Sequence, residues 1–216
     1  VDAGMQRFLR EAPSSAVAPL LQVIEVGLNH EEQHQELMVT DLKHVLCTNP
    51  LEPAYRDDLR IAPPTTPAAL EMIDVEGGVF EIGHAGGGFA FDNEGPRHRV
   101  LAESFRLARR LTTCGEYLAF IADGGYRRPE LWLSDGWDVV RREGWRAPLY
   151  WEQCNDVWCL YDLGGVREVC PAETACHLSY YEADAIARWA GARLPTEFEW
   201  ETIARDLRAR DGHWAD

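Results

Sequence analysis

Hydrophobic positions follow a helical period in the first part of this chain. From about residue 16 to 46, apolar residues recur at three- and four-residue steps, which predicts one long helix. Its mostly apolar stripe consists of Leu20, Ile24, Leu28, Gln35, Leu42 and Leu46. Pro13 and Ser14 supply the chemistry of a helix start, and Asn49 followed by Pro50 predicts the end.

A proline-rich segment follows the predicted helix. Between residues 48 and 70 the chain contains Pro50, Pro53, Pro63, Pro64 and Pro67. Proline lacks a backbone donor and fixes φ, so this segment cannot form a regular helix or a central strand. We therefore assign residues 1–47 to a first domain, residues 48–70 to a linker and residues 71–216 to a second domain.

The second domain begins with the shorter period of strands. Residues 74–81 alternate between two faces, and residues 99–107 predict a further strand. Three capping boxes then predict helix starts, at Thr113 with Glu116, Ser179 with Glu182, and Thr196 with Glu199. Gly191 is the predicted stop of the second of these helices. Helices and short strands together predict an α+β fold.

Tryptophan is concentrated in residues 126–165, which hold Trp132, Trp137, Trp145, Trp151 and Trp158 of the eight in the chain. These residues show neither helical nor strand spacing. We expect irregular loops packed by aromatic rings. An aromatic cage for a trimethylammonium group is the alternative.

Composition excludes several classes of partner. The 216 residues carry a formal net charge of −15. Nucleic-acid binding and docking on anionic membranes both require positive charge, so neither is expected. Six cysteines without a CxxC pair indicate free thiols, and no apolar run long enough for a membrane span or signal peptide is evident. A cytoplasmic location is predicted.

His30 and His34 are the strongest candidates for chemistry in the sequence. Residues four apart on a helix share one face, with Cβ atoms about 5–6 Å apart. Two imidazoles at that spacing can bind one metal ion, although a polar helix face is the simpler explanation of a bare HxxxH pattern. Gln33 borders the same face and lies within reach of a group bound at the metal.

A third ligand is not evident on the same helix. Glu36 points roughly 240° around the axis from His30, and His44 lies roughly 15 Å along the axis from His34. We expect the third ligand on another helix, with a helix preceding Val1 as its natural source. Imidazole suits iron, zinc, copper and nickel, so the ligand type does not identify the metal.

These residues resemble a known family. The segments HEEQHQEL (residues 30–37) and TDLKH (residues 40–44) resemble the iron-binding helix of the ergothioneine-pathway sulfoxide synthases. The second domain resembles their formylglycine-generating-enzyme-like domain in FDNE (91–94), GEYLAF (115–120), DGGY (123–126), RPELW (128–132), YEADA (181–185) and RWAGARLPTE (188–197).

The resemblance implies a DinB-like helical bundle, only part of which is contained in residues 1–47, followed by a loop-rich C-type-lectin-like domain. It also implies a non-heme Fe(II) enzyme that uses O2 to join a thiol, γ-glutamylcysteine or cysteine, to the imidazole of Nα-trimethylhistidine as a sulfoxide. His30 and His34 match two iron ligands, and Gln33 matches a residue that contacts trimethylhistidine. The family's first iron histidine would precede Val1 and its catalytic tyrosine would follow Asp216. The chain therefore resembles the middle of a longer enzyme.

Other functions remain open on the sequence alone. A DinB-type metal-dependent thiol transferase would use the same helix without oxidative chemistry. Copper-dependent formylglycine generation is suggested by the second domain. A lectin-like module can also serve in binding without catalysis, and an incomplete chain can be inactive.

Overall fold

The computed structural model of this chain describes residues 2–59 and 69–204. Contacts group the chain into two compact units, residues 1–44 with 83–98, and residues 45–82 with 99–216. Helices and strands are both present, in agreement with the predicted α+β class. Within the described ranges, no helix has the length and hydropathy required to cross a membrane.

The first unit is dominated by helices. Helix α1 spans Asp2–Glu11, α2 spans Ser14–Val17, and a 3-10 turn at Ala18–Leu20 leads into α3, Leu21–Thr48. The long helix and its end before Asn49 are confirmed. It begins at Leu21 rather than near residue 16, because Pro19 favours a 3-10 turn at Ala18–Leu20. No residue of α3 is buried, so its apolar stripe has no covering layer among the described residues.

The second unit opens with two pairs of strands. Strand β1 (Met72–Val75) pairs with β4 (Phe105–Ala108), and β2 (Gly78–Ile82) pairs with β3 (His98–Ala102). The prediction of one strand across residues 99–107 was therefore wrong.

Gly77 explains where that predicted strand is interrupted. Its backbone N donates to Ser104 Oγ at 3.0 Å. A Cβ at Gly77 would lie 2.6 Å from the Ser104 backbone N, so the chain between β3 and β4 passes where a side chain would be. This close approach separates β3 from β4.

The region with most tryptophans is regular, so the prediction of irregular loops was wrong. It contains helix α5 (Ser134–Glu143) and an antiparallel sheet of β5 (Trp151–Cys154), β6 (Val157–Asp162) and β7 (Gly165–Glu168). Asn155 and Asp156 connect β5 to β6, with φ of 50° and 67°. Positive φ at both central residues is typical of a type I′ hairpin turn, and Asn and Asp tolerate it.

All three capping boxes are confirmed. They begin α4 (Cys114–Ala122), α6 (Tyr180–Trp189) and α7 (Glu197–Ala204). In each, the hydroxyl accepts the backbone N–H of the glutamate, and the glutamate accepts the backbone N–H of the capping residue. Gly191 follows α6 with φ of 69°, as a C′ glycine does.

Aromatic side chains form much of the core of the second unit. The buried cluster consists of Tyr117, Phe120, Tyr126, Leu131, Trp132, Val140, Ala185 and Ile186. The Trp132 indole Nε1 donates to the Gly125 carbonyl at 2.9 Å, which satisfies its polar atom inside the core. A Cβ at Gly125 would lie 2.2 Å from the Phe120 ring, so only glycine fits there. The predicted aromatic packing is confirmed for this cluster.

The beginning of the predicted linker is fixed by hydrogen bonds to the β6–β7 hairpin. The Tyr55 backbone N donates to the Leu163 carbonyl at 2.9 Å. The buried Tyr161 hydroxyl donates to the Pro53 carbonyl at 2.7 Å. A 3-10 turn at Asp57–Leu59 follows, and Pro63, Pro64 and Pro67 lie outside the described residues.

Candidate functional site

Helix α3 places the two candidate metal ligands together. The ring centroids of His30 and His34 are 4.5 Å apart and their planes are nearly perpendicular, at 86°. Both residues are exposed, and Gly27 one turn earlier has open space where a side chain would be. Two imidazole nitrogens on adjacent turns can therefore be approached by an ion from the same side.

The remaining ligands of such an ion are not found in the described part of the chain. Within residues 2–59 and 69–204, no group of three or more His, Cys, Asp or Glu residues could hold a metal ion. The histidine pair fits two positions of a metal centre and leaves the rest to other donors. Imidazole nitrogens with open positions beside them suit several transition metals.

Gln33 lies on the same helix and its side chain is exposed. It comes three residues after His30, so the two residues are neighbours on the helix surface. Its amide can both donate and accept hydrogen bonds, as contact with a polar ligand requires. Its predicted role in binding trimethylhistidine remains a prediction.

A second polar site lies inside the other unit and was not predicted from the sequence. The hydroxyls of Tyr117 and Tyr126 are 3.0 Å apart, and Tyr126 donates to Glu182 Oε1. The other carboxyl oxygen of Glu182 accepts the Ser179 backbone N at 2.8 Å. Burial raises the pKa of both tyrosines, so their hydroxyls stay protonated and act as hydrogen-bond donors.

No disulfide links the six cysteines, all of which lie among the described residues, and the most buried thiol is chemically quiet. Cys114 is 2% exposed at the start of α4, where its backbone N donates to the Glu173 carbonyl at 2.7 Å. Burial, with the nearby Glu173 carboxylate, raises the pKa of Cys114 to about 12. Because the thiolate is the reactive form, this cysteine is a packing residue in the described structure.

A pocket with a volume of about 690 Å³ opens beside the core. Its walls include the indoles of Trp145, Trp151 and Trp158, and it is called the tryptophan pocket below. No helical or strand period in the sequence links these three residues. Trp151 and Trp158 are diagonal neighbours on strands β5 and β6, with ring centroids 6.4 Å apart and planes inclined by 52°. The sequence showed these tryptophans but not that they converge.

Comparison with known proteins shows what this arrangement is similar to. Residues 60–215 match the family described as the sulfatase-modifying factor enzyme 1-like domain. The hercynine oxygenase of Mycolicibacterium thermoresistibile is 38% identical over 176 residues, covering 81% of this chain and 38% of that protein. That of Mycobacterium tuberculosis is 36% identical over 198 residues, covering 89% of this chain and 46% of that protein.

Formylglycine-generating enzymes are also similar, over less of the chain. That of Streptomyces coelicolor is 31% identical over 170 residues, covering 67% of this chain and 50% of that protein. The chain spans less than half the length of the two hercynine oxygenases.

Proposed function

The chain belongs to the family of sulfatase-modifying factor enzyme 1-like domains, and we propose that it forms part of a hercynine oxygenase of ergothioneine biosynthesis. The proposed reaction is O2-dependent and joins a thiol, γ-glutamylcysteine or cysteine, to the imidazole carbon of Nα-trimethylhistidine as a sulfoxide. His30 and His34 are the proposed protein ligands of the iron in this segment. The helices before the linker are proposed to be the part of a DinB-like bundle that carries them.

The extent of the similarity carries this proposal. The alignment with the Mycobacterium tuberculosis hercynine oxygenase covers 89% of the 216 residues, which leaves about 24 residues outside it. A continuous alignment that leaves out only about 24 residues includes residues 25–192 wherever it begins. It therefore includes the histidine pair. The matches to formylglycine-generating enzymes cover 63–68% of the chain, and the family match begins only at residue 60. The helical segment is therefore the part that favours a hercynine oxygenase.

The geometry of α3 is suited to the proposed role. His30 and His34 present two imidazole nitrogens from one helix face, so their relative position is set by the backbone of a helix rather than by a loop. Bound there, Fe(II) would supply a redox centre that activates O2 and orients both substrates. Gln33 borders the same face and is proposed to hold the trimethylhistidine by hydrogen bonds from its amide.

Metal content and product analysis test this proposal together. The full-length protein is loaded anaerobically with Fe(II), desalted and analysed for bound iron. It is then given trimethylhistidine, each thiol in turn, and O2, and the product is analysed by mass spectrometry. We expect the sulfoxide conjugate, with iron and product both lost in His30→Ala and in His34→Ala.

His44→Ala is the matched control, because this histidine lies on the same helix but too far along the axis to share the ion. It is expected to retain iron. Unchanged iron content in both His30→Ala and His34→Ala would refute the metal assignment. A conjugate formed without O2 would indicate a thiol transferase instead.

Formylglycine generation is the second candidate, favoured by the similarity to enzymes of that name. Those proteins and the hercynine oxygenases share the second domain with this chain, so the fold alone does not separate the two reactions. A cysteine-containing sulfatase peptide offered to the copper-loaded protein distinguishes them. Conversion of that peptide cysteine to an aldehyde, with no sulfoxide conjugate from the small substrates, would favour the second candidate.

A further inference from the structure

The tryptophan pocket has the size and lining of a small-molecule site. Its volume of about 690 Å³ lies within the usual range for ligand pockets, about 300–1,000 Å³. Trp145, Trp151 and Trp158 are each partly exposed, so part of each indole remains available. Flat apolar walls of this kind favour a flat ring system, which can stack on one indole or meet another edge-on.

Two arginines give the pocket a positive rim. Arg127 and Arg146 both line it, and neither makes an ion pair with any described residue. A guanidinium group can bind a carboxylate with two parallel hydrogen bonds. The chain as a whole has a net charge of −15, so the positive charge at the rim of this pocket is opposite in sign to that of the whole chain.

Gly124 leaves room for one of these guanidinium groups. It adopts φ of 78°, and a Cβ at this position would lie 3.1 Å from Arg127 Nη2. The guanidinium therefore lies against the backbone where other residues would carry a side chain.

The charge balance favours an anion over a cation. Glu152 is the carboxylate among the described lining residues, and the Cys154 thiol donates to it at 3.4 Å. Two positive groups against one negative group leave the lining with a positive balance. Indole faces attract cations as well. The arginines therefore favour an anionic ligand and the indoles a cationic one, and binding measurements can distinguish these two alternatives.

We propose that the tryptophan pocket binds a small organic carboxylate with a flat ring system, its ring against the indoles and its carboxylate on Arg127 and Arg146. The proposal is independent of the iron chemistry, because none of its residues belongs to α3.

Isothermal titration with two probes that share one ring system tests the sign of the charge. The full-length protein is titrated with 1-naphthylacetate and, separately, with 1-naphthylmethylammonium. We expect the carboxylate to bind with a dissociation constant about tenfold lower than that of the ammonium, a difference typical of one charge-assisted contact. Equal or tighter binding of the ammonium would overturn the proposal, as would a failure of naphthylacetate to bind.

Variants then locate the site. Arg127→Gln and Arg146→Gln are each expected to weaken naphthylacetate binding about fivefold or more, while Arg99→Gln is not. Arg99 is a matched control because it is exposed and makes no ion pair with the described residues either, but does not line the pocket. Equal melting temperatures for the three variants would show that the fold is intact. Wild-type affinity in either pocket variant would overturn the assignment of the carboxylate to these two arginines.

Discussion

Replacing Tyr126 with phenylalanine removes one hydroxyl from the middle of a buried chain of three groups. That hydroxyl donates to Glu182 and lies 3.0 Å from the Tyr117 hydroxyl. Glu182 is 3% exposed and Tyr117 is fully buried. Water therefore cannot take the place of the missing group without disturbing the core.

The expected cost follows from counting the hydrogen bonds. The bond to the Glu182 carboxyl is worth about 1.5–3 kcal/mol, and the orphaned Tyr117 hydroxyl adds about 1 kcal/mol. Tyr126→Phe should therefore lower the free energy of unfolding by about 2.5–4 kcal/mol. Tyr117→Phe should lower it by about 1 kcal/mol, because Tyr126 keeps its bond to Glu182.

The double variant tests the coupling. Once Tyr126 has lost its hydroxyl, Tyr117 has no partner to lose, so the double variant should be no less stable than Tyr126→Phe alone. Urea unfolding followed by near-ultraviolet circular dichroism measures all three free energies. Tyr180→Phe is the control, since Tyr180 is 63% exposed, and should change stability by less than about 0.5 kcal/mol. Additive losses, or equal losses in the two single variants, would refute the assignment of Tyr126 as the central member.

Four further predictions rest on other features of the structure. Gly136→Ala should destabilise by about 1–3 kcal/mol in urea unfolding, because its methyl would lie 2.5 Å from a tyrosine side chain. Gly27→Ala, in an open helical position, should instead stabilise by about 0.5–1 kcal/mol. Hydrogen bonding to the Arg193 guanidinium lowers the pKa of Glu199 to about 2. The ionised Glu199 side chain therefore stabilises the folded protein above pH 4.5, and this stabilisation is lost as the pH falls towards 2. A Glu199→Gln variant should therefore unfold more readily than wild type at pH 7 and lose that difference on acidification. Iodoacetamide at pH 8 should label the exposed Cys176 and spare the buried Cys114 until the protein unfolds, as peptide mass spectrometry would reveal.

Local sequence was sufficient wherever the determining contacts are local. The boxes formed by Thr113 with Glu116 and by Ser179 with Glu182 predicted helix starts because their hydrogen bonds span only three residues. The spacing of His30 and His34 likewise predicted neighbouring rings, since a helix fixes where the fourth residue points.

The contacts that were missed join distant residues or oppose the local pattern. Tyr126 and Glu182 are 56 positions apart, and no periodicity connects them. The hairpin of β5 and β6 was missed because Trp151 and Trp158 show no strand spacing, although Asn155 and Asp156 between them are turn residues. The tryptophan pocket is lined by residues of α4, of the turns after α4 and α5, and of strands β5 and β6. Its charges could therefore be listed from the sequence but not placed together.

The hydrogen bonds that fix Pro53 and Tyr55 decide where the second domain can be cut. A shortened version beginning at Leu70 would remove the acceptor of the buried Tyr161 hydroxyl. An unmatched polar group of that kind costs about 1–3 kcal/mol, a large share of the stability of a small domain. Any separately expressed version should therefore retain the chain from Asn49 onward, because the stretch that looks like a spacer contributes to the domain it precedes.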